Sequence, residues 1–362
     1  LLPYSTLFRS LGLILASLLA AWLSWRFVEQ PFRRAGETPA GVRRVFAAAA
    51  TAAAVTIGLA ATCLPAGHPD RFSPRMQALF AQIEAPEPIF EAVKGHPAYA
   101  GAALPGEGFV AGRGEGPPPL AIWGDSHVGM LLPVVHEAIL AGRLPAVTVF
   151  ARGGCPPIVD TWIGYDADRT CHAYNHEVLE RLKRGPEKRV VLVARWARAL
   201  FGDPRPEGTG EGRPGLAAEP GVLLPVDAAR ALLVRRLAAT IDALLGAGKE
   251  VVVVGPFAEI PFEGKRVTFH AAAADPGLVE LSQPIAPYEA RYVETEAALA
   301  AAIGYRPIRL VVPRLAQCLN GRCPLFRDGH VQFADDNHMT WAASRALVPA
   351  LAALHEGLSA VR

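Results

Sequence analysis

The chain has 362 residues, of which 51% are hydrophobic, and a formal net charge of +2 at pH 7. Its length allows about two domains, and its mean hydropathy of +0.23 favours membrane segments beside a folded domain. The near-neutral charge, with no basic stripe carrying interleaved aromatic residues, argues against nucleic acid as a partner.

Two apolar stretches near the start of the chain predict two transmembrane helices, at residues 11–28 and 45–64. Each is long enough to cross a bilayer, and a buried core helix is the alternative for each. Five arginines at the end of the first stretch and between the two place the connecting loop in the cytoplasm by the positive-inside rule, and the chain after the second stretch outside it. These arginines are Arg26, Arg33, Arg34, Arg43 and Arg44.

A change of composition follows the second apolar stretch. Residues 66–118 are rich in proline, glycine and alanine and are predicted to form a linker, with short helices between 70 and 94. A second segment crowded with glycine and proline, at 202–225, predicts an excursion on the surface of the following domain.

Residues 119–362 alternate between predicted strands and predicted helices. This alternation predicts an α/β domain in which a parallel five-stranded sheet is covered on both faces, a three-layer, flavodoxin-like arrangement. The predicted strands cover residues 120–123, 146–150, 189–194, 250–254 and 308–312. The predicted helices cover residues 128–141, 175–182, 227–245, 288–303 and 341–356.

A candidate nucleophile follows the first of these strands, in the tetrapeptide Gly-Asp-Ser-His at 124–127. A serine at a strand-to-helix turn lies at the carboxyl end of a parallel sheet, where the free N–H groups of the next helix face it. Ser126 then needs a base and a group that orients the base. Asp335 and His338, in the Asp-x-x-His sequence just before the last predicted helix, supply both.

These two tetrapeptides resemble the first and last motif blocks of the SGNH hydrolase superfamily. The resemblance implies that Ser126 is the nucleophile, His338 the general base and Asp335 the residue that orients the imidazole. It also implies an oxyanion hole that a glycine and an asparagine complete, and Gly154 after the second strand matches the glycine.

The third strand is followed by tryptophan and arginine where the superfamily has its asparagine. In this respect the chain resembles the fused O-acetyltransferases, whose sequences often have a tryptophan at this position. By donor chemistry alone, Asn175, Arg195 and the Trp196 indole N–H are the candidates for the remaining oxyanion donor. Core packing of Trp196 and a structural ion pair of Arg195 are the alternatives.

Residues 25–34 resemble the R-F-V-E-x-P-F-R stretch that closes the membrane domain of acyltransferase-3 (AT3) proteins. An extra helix that leads from this domain to an SGNH domain is typical of the fused O-acetyltransferases of bacterial surface polysaccharides. By this resemblance, residues 1–65 are the end of an AT3 membrane region whose larger part lies upstream, since the chain does not begin with methionine. Residues 66–118 are then an extracytoplasmic linker and 119–362 the SGNH domain, on the periplasmic side of the inner membrane.

The function implied is that of an O-acyltransferase, O-acetyl in the first instance, that modifies a cell-surface polysaccharide through an acyl-serine. Its expected partners are the polysaccharide acceptor, the lipid bilayer and the upstream AT3 helices. No cofactor is expected in this domain, and acetyl-CoA is the expected ultimate donor through the AT3 region. The alternatives are an SGNH carbohydrate esterase or deacetylase and a non-catalytic domain that positions glycan.

The cysteines after residue 119 predict two disulfides, because an Asn-Gly turn joins one pair and the other pair closes the loop after the second strand. The alternative is a zinc site with His172 or His176 as ligands. No Cys-x-x-Cys pair supports such a site and thiols outside the cytoplasm oxidise, so no metal is expected. The predicted disulfides are Cys155–Cys171 and Cys318–Cys323.

Overall fold

A computed structural model divides the chain into two compact units, Leu1–Ser73 and Pro74–Arg362. The residues that it describes are 4–30, 33, 38–63, 73–84, 108–112, 117–164, 170–202, 215–222, 224–260, 264–275 and 277–356.

The first unit is helical. It contains α1 (Tyr4–Ser24), a π-helical turn (Trp25–Glu29) and α2 (Pro39–Cys63). Among the described residues, Pro39–Ala61 is the one stretch long and apolar enough to cross a membrane, whereas the apolar stretch Ile14–Phe27 is shorter. The second predicted transmembrane helix therefore coincides with a helix of suitable length and composition, and the first, at 11–28, stays a prediction.

The second unit contains eleven described strands in three sheets. They are β1 (Phe109–Gly112), β2 (Leu120–Gly124), β3 (Ala146–Ala151), β4 (Trp162–Ile163), β5 (Arg189–Val193), β6 (Leu216–Ala217), β7 (Glu250–Val254), β8 (Leu281–Pro284), β9 (Arg309–Val311), β10 (Arg322–Arg327) and β11 (His330–Val331).

The described α-helices of this unit fill most of the connections between its described strands. They are α3 (Pro74–Glu84), α4 (Val128–Leu140), α5 (Thr170–Arg184), α6 (Trp196–Phe201), α7 (Val226–Gly246), α8 (Gly264–Ala274), α9 (Glu289–Ile303), α10 (Arg314–Gln317) and α11 (Trp341–Ala346). Short 3₁₀ helices cover Ala286–Tyr288 and Ala352–Leu354.

The central sheet has six described strands in the order β1-β3-β2-β5-β7-β9. The five predicted strands are β2, β3, β5, β7 and β9, all parallel, in the flavodoxin-like order. The sixth strand corrects the predicted number: β1 pairs antiparallel with β3 at the edge, from within the segment predicted as a linker. Its four residues are too few to show a strand period beside glycine and proline.

Two hydrophobic cores explain why the strands are apolar on both sides. Ala121 and Trp123 of β2 pack into one core with α5, α7 and α9. Leu120 and Ile122 of the same strand pack into the other, with α4 and the chain around α11. Since successive strand residues point to opposite faces, β2 is buried throughout, and the domain has the three layers expected.

Three further elements differ from the predicted pattern. The last predicted helix, 341–356, ends at Ala346, and Pro349, which has no N–H to donate, lies just beyond its end. An additional antiparallel sheet, β11-β10-β8, was not predicted, and it packs against the segment that follows β7. In the segment 202–225, β6 pairs with β4, and residues 203–214 and 223 lie outside the described residues.

Candidate active site

The nucleophile turn begins where β2 ends. Gly124 is required there, because a Cβ at this position would lie 1.9 Å from the Val193 carbonyl oxygen of β5. The chain then turns through bonds from the Val128 N–H to the Asp125 carbonyl and from the Gly129 N–H to the Ser126 carbonyl, both 3.1 Å long. Ser126 is thereby held between the carboxyl edge of the sheet and the N-terminus of α4.

Asp125 fixes this turn from inside the protein. Its Oδ1 accepts the backbone N–H of His127 at 2.9 Å, and its Oδ2 accepts that of Arg195 at 2.8 Å. Burial raises the pKa of Asp125, although the two N–H donors act in the opposite direction. Since Arg195 follows β5, the Asp125 side chain links the end of β2 to the end of β5 and limits the movement of Ser126.

Ser126, His338 and Asp335 form a chain of hydrogen bonds. His338 Nδ1 donates to Asp335 Oδ2 at 2.6 Å, and His338 Nε2 accepts from Ser126 Oγ at 2.8 Å. These partners assign the imidazole tautomer, since a carboxylate can only accept. In this tautomer Nε2 is placed to remove a proton from the serine hydroxyl.

Asp335 is ionised and well supplied with donors. Burial by itself raises its pKa, but the hydrogen bond and charge of His338, with the backbone N–H groups of His338 and Asn337, lower the pKa to about 2. Both N–H groups donate to Asp335 Oδ1, at 2.7 and 2.8 Å. The other oxygen is therefore free to orient the imidazole.

The loop that carries Asp335 and His338 is fixed by neighbouring backbone. Ile260 donates its N–H to the Asp336 carbonyl at 2.7 Å, and Gly264 donates to the Asp335 carbonyl at 3.2 Å. Within the loop, the Ala334 N–H donates to the His338 carbonyl at 2.7 Å. The position of the base thus depends on the segment after β7 as well as on its own loop.

A second pair of side chains joins the two motif segments. His127 Nε2 donates to Asn337 Oδ1 at 3.0 Å, and the Asn337 amide donates to Asp336 Oδ1 at 2.6 Å. The His127 ring is 1% exposed and lies edge-on to those of Phe257 and His338, at centroid distances of 5.8 and 5.5 Å. Burial, together with the neighbouring His338, lowers the pKa of His127 to about 3, so its ring is neutral.

Gly154 lies in the loop that follows β3, beside the nucleophile turn. The Arg152 N–H donates to the Gly124 carbonyl at 3.1 Å, which attaches this loop to the end of β2. Gly154 has φ of 74°, a conformation that favours glycine. In the described part of the chain, the backbone N–H groups of Ser126 and Gly154 have no acceptor.

The other predicted oxyanion donors are engaged elsewhere. Both amide protons of Asn175 bond to loop carbonyls, of Pro156 at 2.8 Å and of Ile158 at 3.1 Å. The Trp196 indole is buried and donates to the Val254 carbonyl at 2.7 Å. This geometry does not favour Asn175 or Trp196 as oxyanion donors, and for Trp196 it matches the alternative of core packing.

The Arg195 guanidinium is part of a buried ion-pair network. Its Nε contacts Glu259 Oε1 at 2.9 Å and its Nη2 contacts Asp336 Oδ2 at 3.2 Å. Arg195 is 9% exposed, and the Glu259 side chain is 2% exposed. The structural ion pair is therefore the role that the geometry favours, and through Asp336 it supports the loop of the base.

Both predicted disulfides are confirmed. Cys155–Cys171 and Cys318–Cys323 are bonded, with Cα–Cα distances of 5.4 and 4.2 Å. The first attaches the loop of Gly154 to α5, and the second closes the turn before β10. The cysteines are therefore excluded as zinc ligands.

With this geometry in place, comparison with known proteins identifies the family. The model of the "SGNH domain (fused to AT3 domains)" matches residues 96–353, more than half of the chain. The chain belongs to this SGNH family.

A solved structure resembles this SGNH chain as well. It is the periplasmic domain of the Salmonella ser. Paratyphi A lipopolysaccharide acetyltransferase, with 17% sequence identity and a TM-score of 0.49 over 67% of this chain and 84% of that one. No curated protein matches the sequence.

Four residues of the SGNH site were not predicted to take part: Asp125, His127, Asp336 and Asn337. All four lie inside the two tetrapeptides from which Ser126, Asp335 and His338 were chosen. The signal that could have found them is the type of side chain, since polar groups at a buried turn need partners. The partners themselves lie up to 210 positions away along the chain.

Proposed function

We propose that this protein is an O-acyltransferase that forms an acyl-serine on Ser126 and passes the acyl group, acetyl in the first instance, to a hydroxyl of a cell-surface polysaccharide. The observation that carries the proposal is the hydrogen-bond chain from Ser126 Oγ through His338 to Asp335 in an SGNH domain of the AT3-fused family.

In the first step, His338 Nε2 takes the proton of Ser126 as Oγ attacks the acyl carbonyl. The imidazolium formed is stabilised by Asp335, whose lowered pKa keeps it ionised. His338 then gives the proton to the leaving group as the acyl-serine forms. The reverse transfer of protons accompanies attack by the acceptor hydroxyl, so one base serves both halves of the reaction.

The negative charge of each tetrahedral intermediate requires donors beside Ser126. The backbone N–H groups of Ser126 and Gly154 support this role, because neither has an acceptor among the described residues. The N-terminus of α4 adds a favourable dipole. The third donor of the superfamily pattern has no equivalent among Asn175 and Trp196, since their N–H groups bond to carbonyls.

The donor and the location belong to the same proposal. The family is named for its fusion to AT3 domains, and α2 contains a stretch suited to crossing a membrane. We place the SGNH domain on the periplasmic face of the inner membrane, after two transmembrane helices, where an AT3 membrane region supplies acetyl groups that come from acetyl-CoA. The acceptor is a polysaccharide at that face.

The proposal is tested by incubating the purified chain with an activated acetyl ester, with and without cell-surface polysaccharides. Acetate release and acetyl on the glycan are measured separately. We expect the unmodified chain to release acetate slowly without acceptor and to acetylate a suitable glycan. The Ser126→Ala variant should not acetylate the glycan. Ser282→Ala is the matched control, since Ser282 is a partly exposed serine that contacts Arg322.

Three results would change the assignment. Rapid removal of acetyl groups from acetylated glycan, with no acceptor acetylated, would favour the esterase. Binding of glycan with no turnover of any ester would favour a non-catalytic domain. Full activity of Ser126→Ala would exclude the nucleophile.

A further inference from the structure

Three metal-ligating side chains meet near the protein surface, outside the hydrogen-bond chain of Ser126. They are Asp160, on the loop between β3 and β4, and His172 and His176 on α5. Each offers one ligand atom, and these atoms lie within 4.8 Å of one another. The histidines are four residues apart on the helix, so they share one face and can bind the same ion.

The Asp160 carboxylate already points at this face. Its Oδ1 lies 3.0 Å from His176 Nε2, and its Oδ2 contacts Arg236 of α7 at 3.3 Å. The backbone of Asp160 has φ of 53°, an uncommon conformation for a residue with a side chain. Arg236 therefore holds Oδ2 of Asp160, and Oδ1 faces the imidazoles.

The loop of Asp160 is fixed to the helix of the histidines. The Cys155–Cys171 disulfide joins them, and Asn175 donates to two carbonyls of the loop. The Val159 N–H also donates to Thr240 Oγ1 of α7, at 3.2 Å. Little conformational freedom is left to lose when an ion binds.

The His172 ring is oriented by its aromatic neighbours. The Trp162 ring stacks on it at a centroid distance of 4.5 Å with 11° between the planes, and the His176 ring lies 4.7 Å away.

We propose that Asp160, His172 and His176 bind one divalent transition-metal ion, with zinc as the species that these donors favour. Two imidazoles and a carboxylate with an open position form a common zinc ligand set, whereas magnesium prefers oxygen ligands. Zinc bonds of ~2.0–2.1 Å place tetrahedral ligand atoms about 3.3 Å apart. Asp160 Oδ1 and His176 Nε2 lie 3.0 Å apart, close to that spacing. All the ligand atoms lie within 4.8 Å of one another, so no pair must approach by more than about 1.5 Å.

This site differs from the zinc site considered from the sequence, because both cysteines of that alternative are in a disulfide. The ion joins the loop after β3 to α5. It therefore stabilises the segment that carries Gly154 without contact to Ser126, His338 or Asp335.

The test is calorimetric titration of Zn²⁺ into the full chain, purified in detergent without a polyhistidine tag and freed of metal. We expect one Zn²⁺ per chain and no comparable binding of Mg²⁺. His172→Ala and His176→Ala should each weaken binding at least tenfold, and the double variant should abolish it. His270→Ala is the matched control, since this exposed histidine lies on α8, and should bind like the unmodified chain.

A second measurement needs no substitution. Diethylpyrocarbonate modifies accessible imidazoles, and peptide mass spectrometry locates the products. Saturating Zn²⁺ should protect His172 and His176 and leave His270 reactive. The proposal is overturned if Zn²⁺ protects neither histidine, or if the double variant, folded by circular dichroism, binds Zn²⁺ like the unmodified chain.

Discussion

Replacing His127 by glutamine should make the fold less sensitive to acid. The imidazole is 1% exposed and its pKa is lowered from 6.5 to about 3. In the unfolded chain the same group protonates near pH 6.5, so lowering the pH stabilises the unfolded state and leaves the folded state unchanged until about pH 3. The free energy of unfolding therefore falls as the pH falls through this window.

The magnitude follows from the two pKa values. Between pH 7 and pH 5, proton binding to the unfolded state at this one group costs about 2 kcal/mol of the free energy of unfolding. Glutamine keeps an N–H donor for Asn337 Oδ1 but does not titrate. The loss of stability from pH 7 to pH 5 should thus be about 2 kcal/mol smaller in His127→Gln than in the unmodified protein.

The assay is urea unfolding of residues 74–362 at both pH values, followed by the fluorescence of Trp123 and Trp196, which are fully buried. His270→Gln controls for the loss of an exposed imidazole. Equal pH dependence of His127→Gln and the unmodified protein would refute the assignment of His127 as a buried neutral ring.

Other variants test the remaining contacts. Removing the Cys155–Cys171 disulfide should lower the free energy of unfolding by about 3 kcal/mol, and removing Cys318–Cys323 by about 2 kcal/mol, since the loops span 16 and 5 positions. A larger loss for Cys318–Cys323 than for Cys155–Cys171 in denaturant titration would contradict this. Trp196→Phe removes the buried indole donor of the Val254 carbonyl and should cost about 1–3 kcal/mol, while acyl transfer by the folded protein stays within a few fold. A fall of about a hundredfold in the rate of acyl transfer would instead show that the indole N–H donates in the oxyanion hole. Asp335→Asn should slow acyl transfer about 10³–10⁴-fold, with circular dichroism unchanged, and rates near those of the unmodified protein would exclude the orienting role.

The part of the fold that could be predicted depends on local signals. Each parallel strand is a short apolar run, and β2 ends in a turn whose residues also indicate Ser126. The elements that were not predicted have weak or distant signals: β1 is short, and β8 (Leu281–Pro284) pairs with the remote strand β10 (Arg322–Arg327). The β10–β11 hairpin is local, and its Asp328-Gly329 turn is a signal that could have been used.

The site shows the same limit. Asp335 and His338 are close in sequence, so their hydrogen bond could be predicted from spacing. Trp196 was a candidate donor by chemistry, but the direction of its indole depends on the packing of α6 against β7, which no local pattern contains. The His127–Asn337 bond, between residues 210 positions apart, exists only once the sheet has formed.

The most direct test of the proposed function is to trap the acyl-enzyme. The full chain is treated briefly with an activated acetyl ester, quenched in acid, digested and examined by mass spectrometry. We predict one acetyl group on Ser126 in the unmodified chain, none at this position in His338→Ala, and loss of the label when a suitable glycan is added before quenching, with acetyl recovered on the glycan. Acetyl transfer to the glycan by a chain with alanine at position 126, or a label on another residue that passes to the glycan, would contradict it.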